Sequence, residues 1–118
     1  MTDLSHLTAK LLAFRDERNW KQFHTLKDLI ISLNLEAAEL LELTQWKSDA
    51  ELANLKSEEG FQEQLRDECA DVLMYLLLIA EDAGIDLIKA AEEKLVKNAM
   101  KYPADKYYGS AKKYSKSE

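Results

Sequence analysis

At 118 residues, with 47% hydrophobic and 32% charged side chains and a formal net charge of −6, the chain has the size of one domain and no general affinity for nucleic acid polymers or anionic lipid. Three glycines and one proline are too few for a turn-rich β-sandwich or a collagen-like repeat, and the apolar content is too high for a disordered tail, so an all-α fold is expected. The longest apolar run, Val72 to Ala80, falls well short of the roughly 20 residues of a spanning helix, and neither a basic start nor an apolar signal core follows Met1; a cytoplasmic protein with no membrane partner is expected.

Leu4, Leu7, Leu11 and Phe14 recur every three or four residues, which predicts an amphipathic helix over residues 3 to 17 with Thr2 or Asp3 at its cap. Residues 18 to 24 break that period and gather Trp20, Phe23 and His24 in a loop, the kind of segment on which functional side chains concentrate. Thr25 and Asp28 have the spacing of a capping box for a second helix, striped by Leu26, Leu29, Ile30, Leu33, Ala37, Leu40 and Leu41 and running to about Trp46. Ser48 and Asp49 suit the cap of a short segment near residues 50 to 56, which Ser57, Glu58, Glu59 and Gly60 interrupt. Phe61, Leu65, Val72, Tyr75 and Ile79 then share one face of a third helix reaching about Asp82, with Gly84 as its C′ residue. Asp86 is a good N-cap for a fourth helix carrying Leu87, Ala90, Ala91, Leu95 and Met100, ended by Pro103. Residues 1 to 102 thus read as one helical domain and residues 103 to 118 as a tail with extended structure or partial order. The lone Cys69 cannot form an internal disulfide or a thiolate metal site, and both it and Met74 read as core.

Charge is unevenly placed. Residues 94 to 118 hold seven lysines against Asp105 and Glu118, while residues 1 to 93 hold nine basic and twenty acidic side chains, so a basic tail follows an acidic body. On the second helix Glu36 and Glu39 lie about 60° apart beside the apolar stripe, because an α-helix turns about 100° per residue. Glu68 and Asp71 repeat that spacing inside the apolar arc of the third helix. E-x-x-E alone is common on an acidic helix surface, but carboxylates on an apolar arc lose hydration and need a partner. Arg66 and Lys56 are too few to neutralise four acids, whereas a divalent cation such as Mg²⁺ takes oxygen ligands, water and phosphate in one octahedral shell.

Read together, Glu36-x-x-Glu39, a spacer, and Glu68-x-x-Asp71 resemble the signature of the all-α, MazG-like nucleotide pyrophosphohydrolases. The flanks Trp20-Lys-Gln-Phe23-His24, Gln45-Trp46-Lys47, Asp71-Val-Leu-x-Tyr75-Leu and Lys94-x-x-x-Asn98-x-x-Lys101-Tyr102-Pro103, continued by Gly109-Ser110 and Lys113-Tyr114, resemble the dCTP pyrophosphatase branch. Leu11 departs from vertebrate-type members, which place a histidine there. The resemblance implies a four-helix core assembling as an intertwined dimer or a dimer of dimers, and hydrolysis of a nucleoside triphosphate to monophosphate and pyrophosphate. The third helix is apolar nearly all round, which agrees with a subunit interface.

Under that resemblance Glu36, Glu39, Glu68 and Asp71 are the expected ligands of Mg²⁺, with Mn²⁺ as the alternative, and Glu39 more than Glu36 is expected to orient or deprotonate the attacking water. Lys94, Asn98 and Lys101, with Lys113 and Tyr114 from the tail, are the expected phosphate contacts, against the plainer reading of lysines solvated on a helix end. Trp20, Phe23 and Trp46 are expected around the base, with His24 and Lys27 at its polar edges and Tyr75 against the sugar; packing against the core is the plainer reading for the aromatics. The leading expectation is a dCTP-type pyrophosphohydrolase that cleanses the nucleotide pool. A broad-specificity house-cleaning enzyme and a catalytically silent helical interaction module are the alternatives. No Gly-rich phosphate loop, nucleophile elbow or His/Cys metal cluster supports another class.

Overall fold

A computed structural model describes residues 3 to 112; Lys113 and Tyr114 lie outside the described residues. Among those described the chain is helical and without strands: α1 (Leu4–Glu17), a 3-10 turn (Lys21–Phe23), α2 (Leu26–Glu42), α3 (Asp49–Leu55), α4 (Glu59–Ala83), α5 (Leu87–Lys101) and α6 (Ala104–Tyr107). The all-α expectation therefore holds: the four longer helices are present, α3 falls on the short capped segment expected near residues 50 to 56, and α6 is added.

Local chemistry explains most helix starts. Asp3, Thr25 and Asp86 each accept a backbone N–H with the side chain at the N-cap of α1, α2 and α5. Ser48 does so for α3 within a full capping box, Glu51 reaching back to the Ser48 backbone. Each cap satisfies a donor the helix cannot satisfy itself and stabilises its helix by about 1 kcal/mol. Gly84 ends α4 with φ 69° and ψ 38°, a left-handed conformation that an L side chain enters only with strain, as its C′ placement required.

Three boundaries differ from the sequence reading. α2 stops at Glu42 instead of Trp46, because residues 43 to 46 turn: Thr44 Oγ1 donates to the Leu41 carbonyl at 2.8 Å, and Trp46 adopts φ 65°. α4 begins at Glu59, so Gly60 falls inside its first turn instead of before it. In the stretch expected to be extended or partly ordered, Ala104–Tyr107 form a turn of helix after Pro103, with the Tyr102 and Tyr107 rings edge-to-face at 5.0 Å.

By internal contacts the chain divides into a unit ending at Gly84 and one beginning at Ile85. In the first, α2 pairs with the 25-residue α4, and α1 lies along α4 as well. Leu29 from α2 and Leu77, Leu78 and Ala80 from α4 are the buried apolar side chains among the described residues. The second unit holds α5 and α6, and its apolar side chains Ile88, Leu95, Val96 and Met100 are all exposed. Cys69 is exposed too, against its reading as core, because it lies one residue past Glu68 and turns away from the arc that faces α2. No helix among the described residues is long and apolar enough to cross a membrane.

Candidate functional site

The pairing of α2 with α4 decides where the acids go. Glu36 and Glu39 are one turn apart on α2, Glu68 comes from α4, and one carboxylate oxygen from each lies within 4.8 Å of the others. Glu36 and Glu68 are half-buried and Glu39 is exposed. The Oε2 atoms of Glu36 and Glu68 are both shielded from solvent and have no hydrogen-bond partner. Asp71, half-buried one turn beyond Glu68, is close enough to repel both glutamates.

Burial pushes the Glu36 carboxyl above its ordinary range, and the neighbouring carboxylates of Glu39, Asp71 and Glu68 add to the rise. Glu68 is raised for the same leading reason, loss of hydration, followed by the neighbouring carboxylates of Glu39, Asp71 and Asp67. Among the described residues the ion pairs are Arg15–Asp16 and Arg18–Glu17, so no lysine or arginine neutralises the cluster. Clustered carboxylates with buried, unpartnered oxygens are a donor set of the kind that holds a hard divalent cation, which removes both the repulsion and the lost hydration.

Two depressions adjoin the acids. The first, about 460 Å³, is lined by Glu36 and Asp71 together with Trp20, His24, Tyr75, Leu7, Lys10, Leu11, Phe14, Arg15, Met74 and Leu78. Trp20 is held there by an edge-to-face contact with Phe14 at 5.8 Å between ring centres, and the Arg18 guanidinium lies 3.6 Å from the centre of the Phe14 ring. The Nδ1 atom of His24 is shielded and without a partner. The second depression, about 540 Å³, is lined by Glu39 and Glu68 with Glu42, Leu43, Lys47, Leu55, Phe61 and Gln64.

Of the residues singled out in the sequence, the structure thus brings together Glu36, Glu39 and Glu68, leaves Asp71 outside that group but near enough for its charge to act on Glu36 and Glu68, and places Trp20, His24 and Tyr75 around the cavity that Glu36 and Asp71 line. Phe23 and Lys27 are exposed and outside that lining, Phe23 on the 3-10 turn and Lys27 in the first turn of α2. Trp46 is 91% exposed at the turn after α2, away from the cavity. Lys94, Asn98 and Lys101 recur on α5 in the second unit, where Asn98 is half-buried and both lysines are exposed. Leu11, singled out in the sequence as a departure at a base-recognition position, lines the cavity, whereas sequence reasoning missed the cavity residues Phe14 and Arg15 and the groove residues Lys47 and Gln64 as lining side chains. Leu11 and Phe14 carry the same three-to-four period as core residues, so periodicity could not mark them, and Lys47 entered only as part of a flanking motif.

Comparison with known proteins agrees with this architecture. The sequence profile of the MazG-like family matches residues 31–116. The chain is 38% identical over 115 residues to dCTP pyrophosphatase 1 of Rattus norvegicus, covering 98% of this chain and 66% of that protein. It is 36% identical, with the same coverage, to dCTP pyrophosphatase 1 of Homo sapiens, so it spans about two thirds of the length of these relatives. Among solved structures, a pyrophosphatase from Archaeoglobus fulgidus superposes with a TM-score of 0.80 at 38% identity, over 87% of this chain and 94% of that one. The chain belongs to the MazG-like family.

Proposed function

We propose that the protein is a divalent-metal-dependent nucleoside triphosphate pyrophosphohydrolase acting on dCTP or a modified dCTP, releasing dCMP and pyrophosphate and so cleansing the free nucleotide pool of the cytoplasm. The observation that carries the reading is the cluster of Glu36, Glu39 and Glu68 within 4.8 Å, with buried unpartnered oxygens, beside a cavity walled by Trp20, His24 and Tyr75. The dCTP pyrophosphatase relatives support the choice of base.

In this reading Glu36, Glu39, Glu68 and Asp71 hold Mg²⁺, or Mn²⁺ in its place, which when bound neutralises triphosphate charge and activates water. Glu39, the exposed member of the cluster, orients the attacking water and takes its proton. The Trp20 face stacks the base, His24 meets its polar edge, and Tyr75, one turn past Asp71, contacts the sugar and disfavours a 2′-hydroxyl. Lys94, Asn98 and Lys101 are the phosphate contacts of this reading; Lys113 and Tyr114, which share that role in it, lie outside the described residues. Phe23, Lys27 and Trp46, outside the cavity lining, complete the substrate contacts from a second copy of the chain.

That last assignment requires a homodimer or homotetramer. Four buried apolar side chains among the described residues are few for a chain of this size, while Leu35, Leu41, Leu95, Val96 and Met100 are each more than 60% exposed. Apolar exposure of that extent marks an association surface. A broad-specificity house-cleaning enzyme is the second reading, favoured by Leu11, which lines the base cavity without offering a hydrogen bond. Pyrophosphate release from a panel of ribo- and deoxynucleoside triphosphates and 5-methyl-dCTP, with and without Mg²⁺, tests both. A dCTP preference lost in Glu68→Ala supports the first reading, even activity across bases supports the second, and metal-independent silence of the folded protein rejects both.

A further inference from the structure

We propose that Lys47, with Gln64 beside it, binds the departing pyrophosphate in the groove lined by Glu39 and Glu68; the role rests on the pyrophosphohydrolase reading above. The acid cluster opens onto two depressions that share no lining residue. Glu36 and Asp71 face the cavity with the aromatic walls, and Glu39 and Glu68 face the groove, so a substrate whose base fills the cavity and whose α-phosphate meets the acids has the groove for its outer phosphates.

The groove is built for a charged occupant. It carries three carboxylates and one amide, and Lys47 is the one cation among its lining residues. Despite that company Lys47 makes no ion pair among the described residues, so its ammonium is available to an incoming anion. Its backbone is anchored on both sides. The Lys47 N–H donates to the Thr44 carbonyl at 3.2 Å, Trp46 before it holds φ 65°, and Ser48 after it closes the capping box of α3. Gln64 sits one turn before Glu68 on α4, on the same face, so an amide donor is set beside the metal-ligand position. An amide and an ammonium next to carboxylates that hold a cation make a phosphate seat; carboxylates alone would repel the anion.

The step places one charge at that seat. The water oxygen bonds to the α-phosphorus and its proton passes to a carboxylate of the cluster. The bond from the α-phosphorus to the α–β bridging oxygen breaks, and its electron pair leaves on the pyrophosphate, where the Lys47 ammonium faces it.

Product inhibition of the purified full chain tests the role. In Lys47→Ala the inhibition constant for inorganic pyrophosphate is expected to rise about tenfold and kcat/KM to fall comparably, while that for dCMP stays within about twofold. Lys47→Arg recovers most of the loss, and Lys89→Ala, the same charge change on α5, alters neither constant. If the alanine variant does not fold, Lys47→Gln carries the same comparison. An unchanged pyrophosphate constant in a folded, active variant overturns the proposal, and so does an equal rise in both constants, which marks a general disturbance of the site. A wild-type protein that releases no pyrophosphate from any triphosphate removes the parent reading instead.

Discussion

Glu36 on α2 and Glu68 on α4 bring carboxylate oxygens within 4.8 Å of each other, and each buries its Oε2 without a partner. Two acids so placed hold protons more tightly folded than unfolded, since burial and the charges of neighbouring carboxylates, Glu39 and Asp71 for both, disfavour the ionised forms. Their contribution to stability is therefore complete below the unfolded carboxylate range, near pH 4.3, and is lost as pH rises through the elevated folded values. Asp16, lowered chiefly by its hydrogen bond with Arg15, works in the opposite sense, so the effect is read by difference. In EDTA, melting temperatures of the wild type are expected to fall relative to those of Glu68→Gln as pH rises from about 4 to 7. Added Mg²⁺, which prefers the ionised acids, is expected to protect more at pH 7 than at pH 5. A wild-type-minus-variant difference that is flat over that window would show that the acids do not interact.

Removing one of these charges should separate stability from activity. Glu68→Gln keeps the shape of the side chain and deletes a half-buried negative charge, so the metal-free protein is expected to melt no lower than the wild type. Mg²⁺-dependent pyrophosphate release from the same preparation is expected to drop at least about 100-fold, as for loss of a metal ligand. A variant that keeps full activity would remove Glu68 from the site.

Trp20 is 44% exposed at the mouth of the cavity with its ring against Phe14. Stacking on a base contributes about 1–3 kcal/mol, so Trp20→Ala is expected to raise KM for dCTP about tenfold with a smaller change in kcat, and Trp20→Phe to restore part of it. Steady-state kinetics on the two variants, checked for equal far-ultraviolet dichroism, decide. Loss of kcat alone would place Trp20 in the packing of α1 and not under the base.

The exposed Leu95 and Met100 of α5 make the assembly testable. Sedimentation of the wild type at micromolar concentration is expected to give a dimer or tetramer, and Leu95→Glu a smaller species with reduced activity. A monomeric, fully active wild type would contradict the assembly and the substrate contacts assigned across it.

The helices and one half of the site follow from local sequence. Caps at Asp3, Thr25, Ser48 and Asp86 and the stop at Gly84 act through hydrogen bonds and backbone preferences a few residues long, so they are legible in a linear text. The one-turn spacings Glu36–Glu39 and Glu68–Asp71 were legible for the same reason: a helix converts spacing into a shared face. What those faces meet depends on how the helices pack. Laying α2 along α4 closed Glu36, Glu39 and Glu68 into one cluster, turned Leu11 and Phe14 from a core stripe into cavity wall, and made a groove where Lys47 and Gln64 stand beside Glu68. It also ended α2 four residues early, through a turn that sets Trp46 in a left-handed conformation and Lys47 at the groove. A cavity is the space that several helices leave unfilled. Its lining obeys no period in any one helix, and that is why the chemistry of the acids could be read along the chain while the shape around them could not.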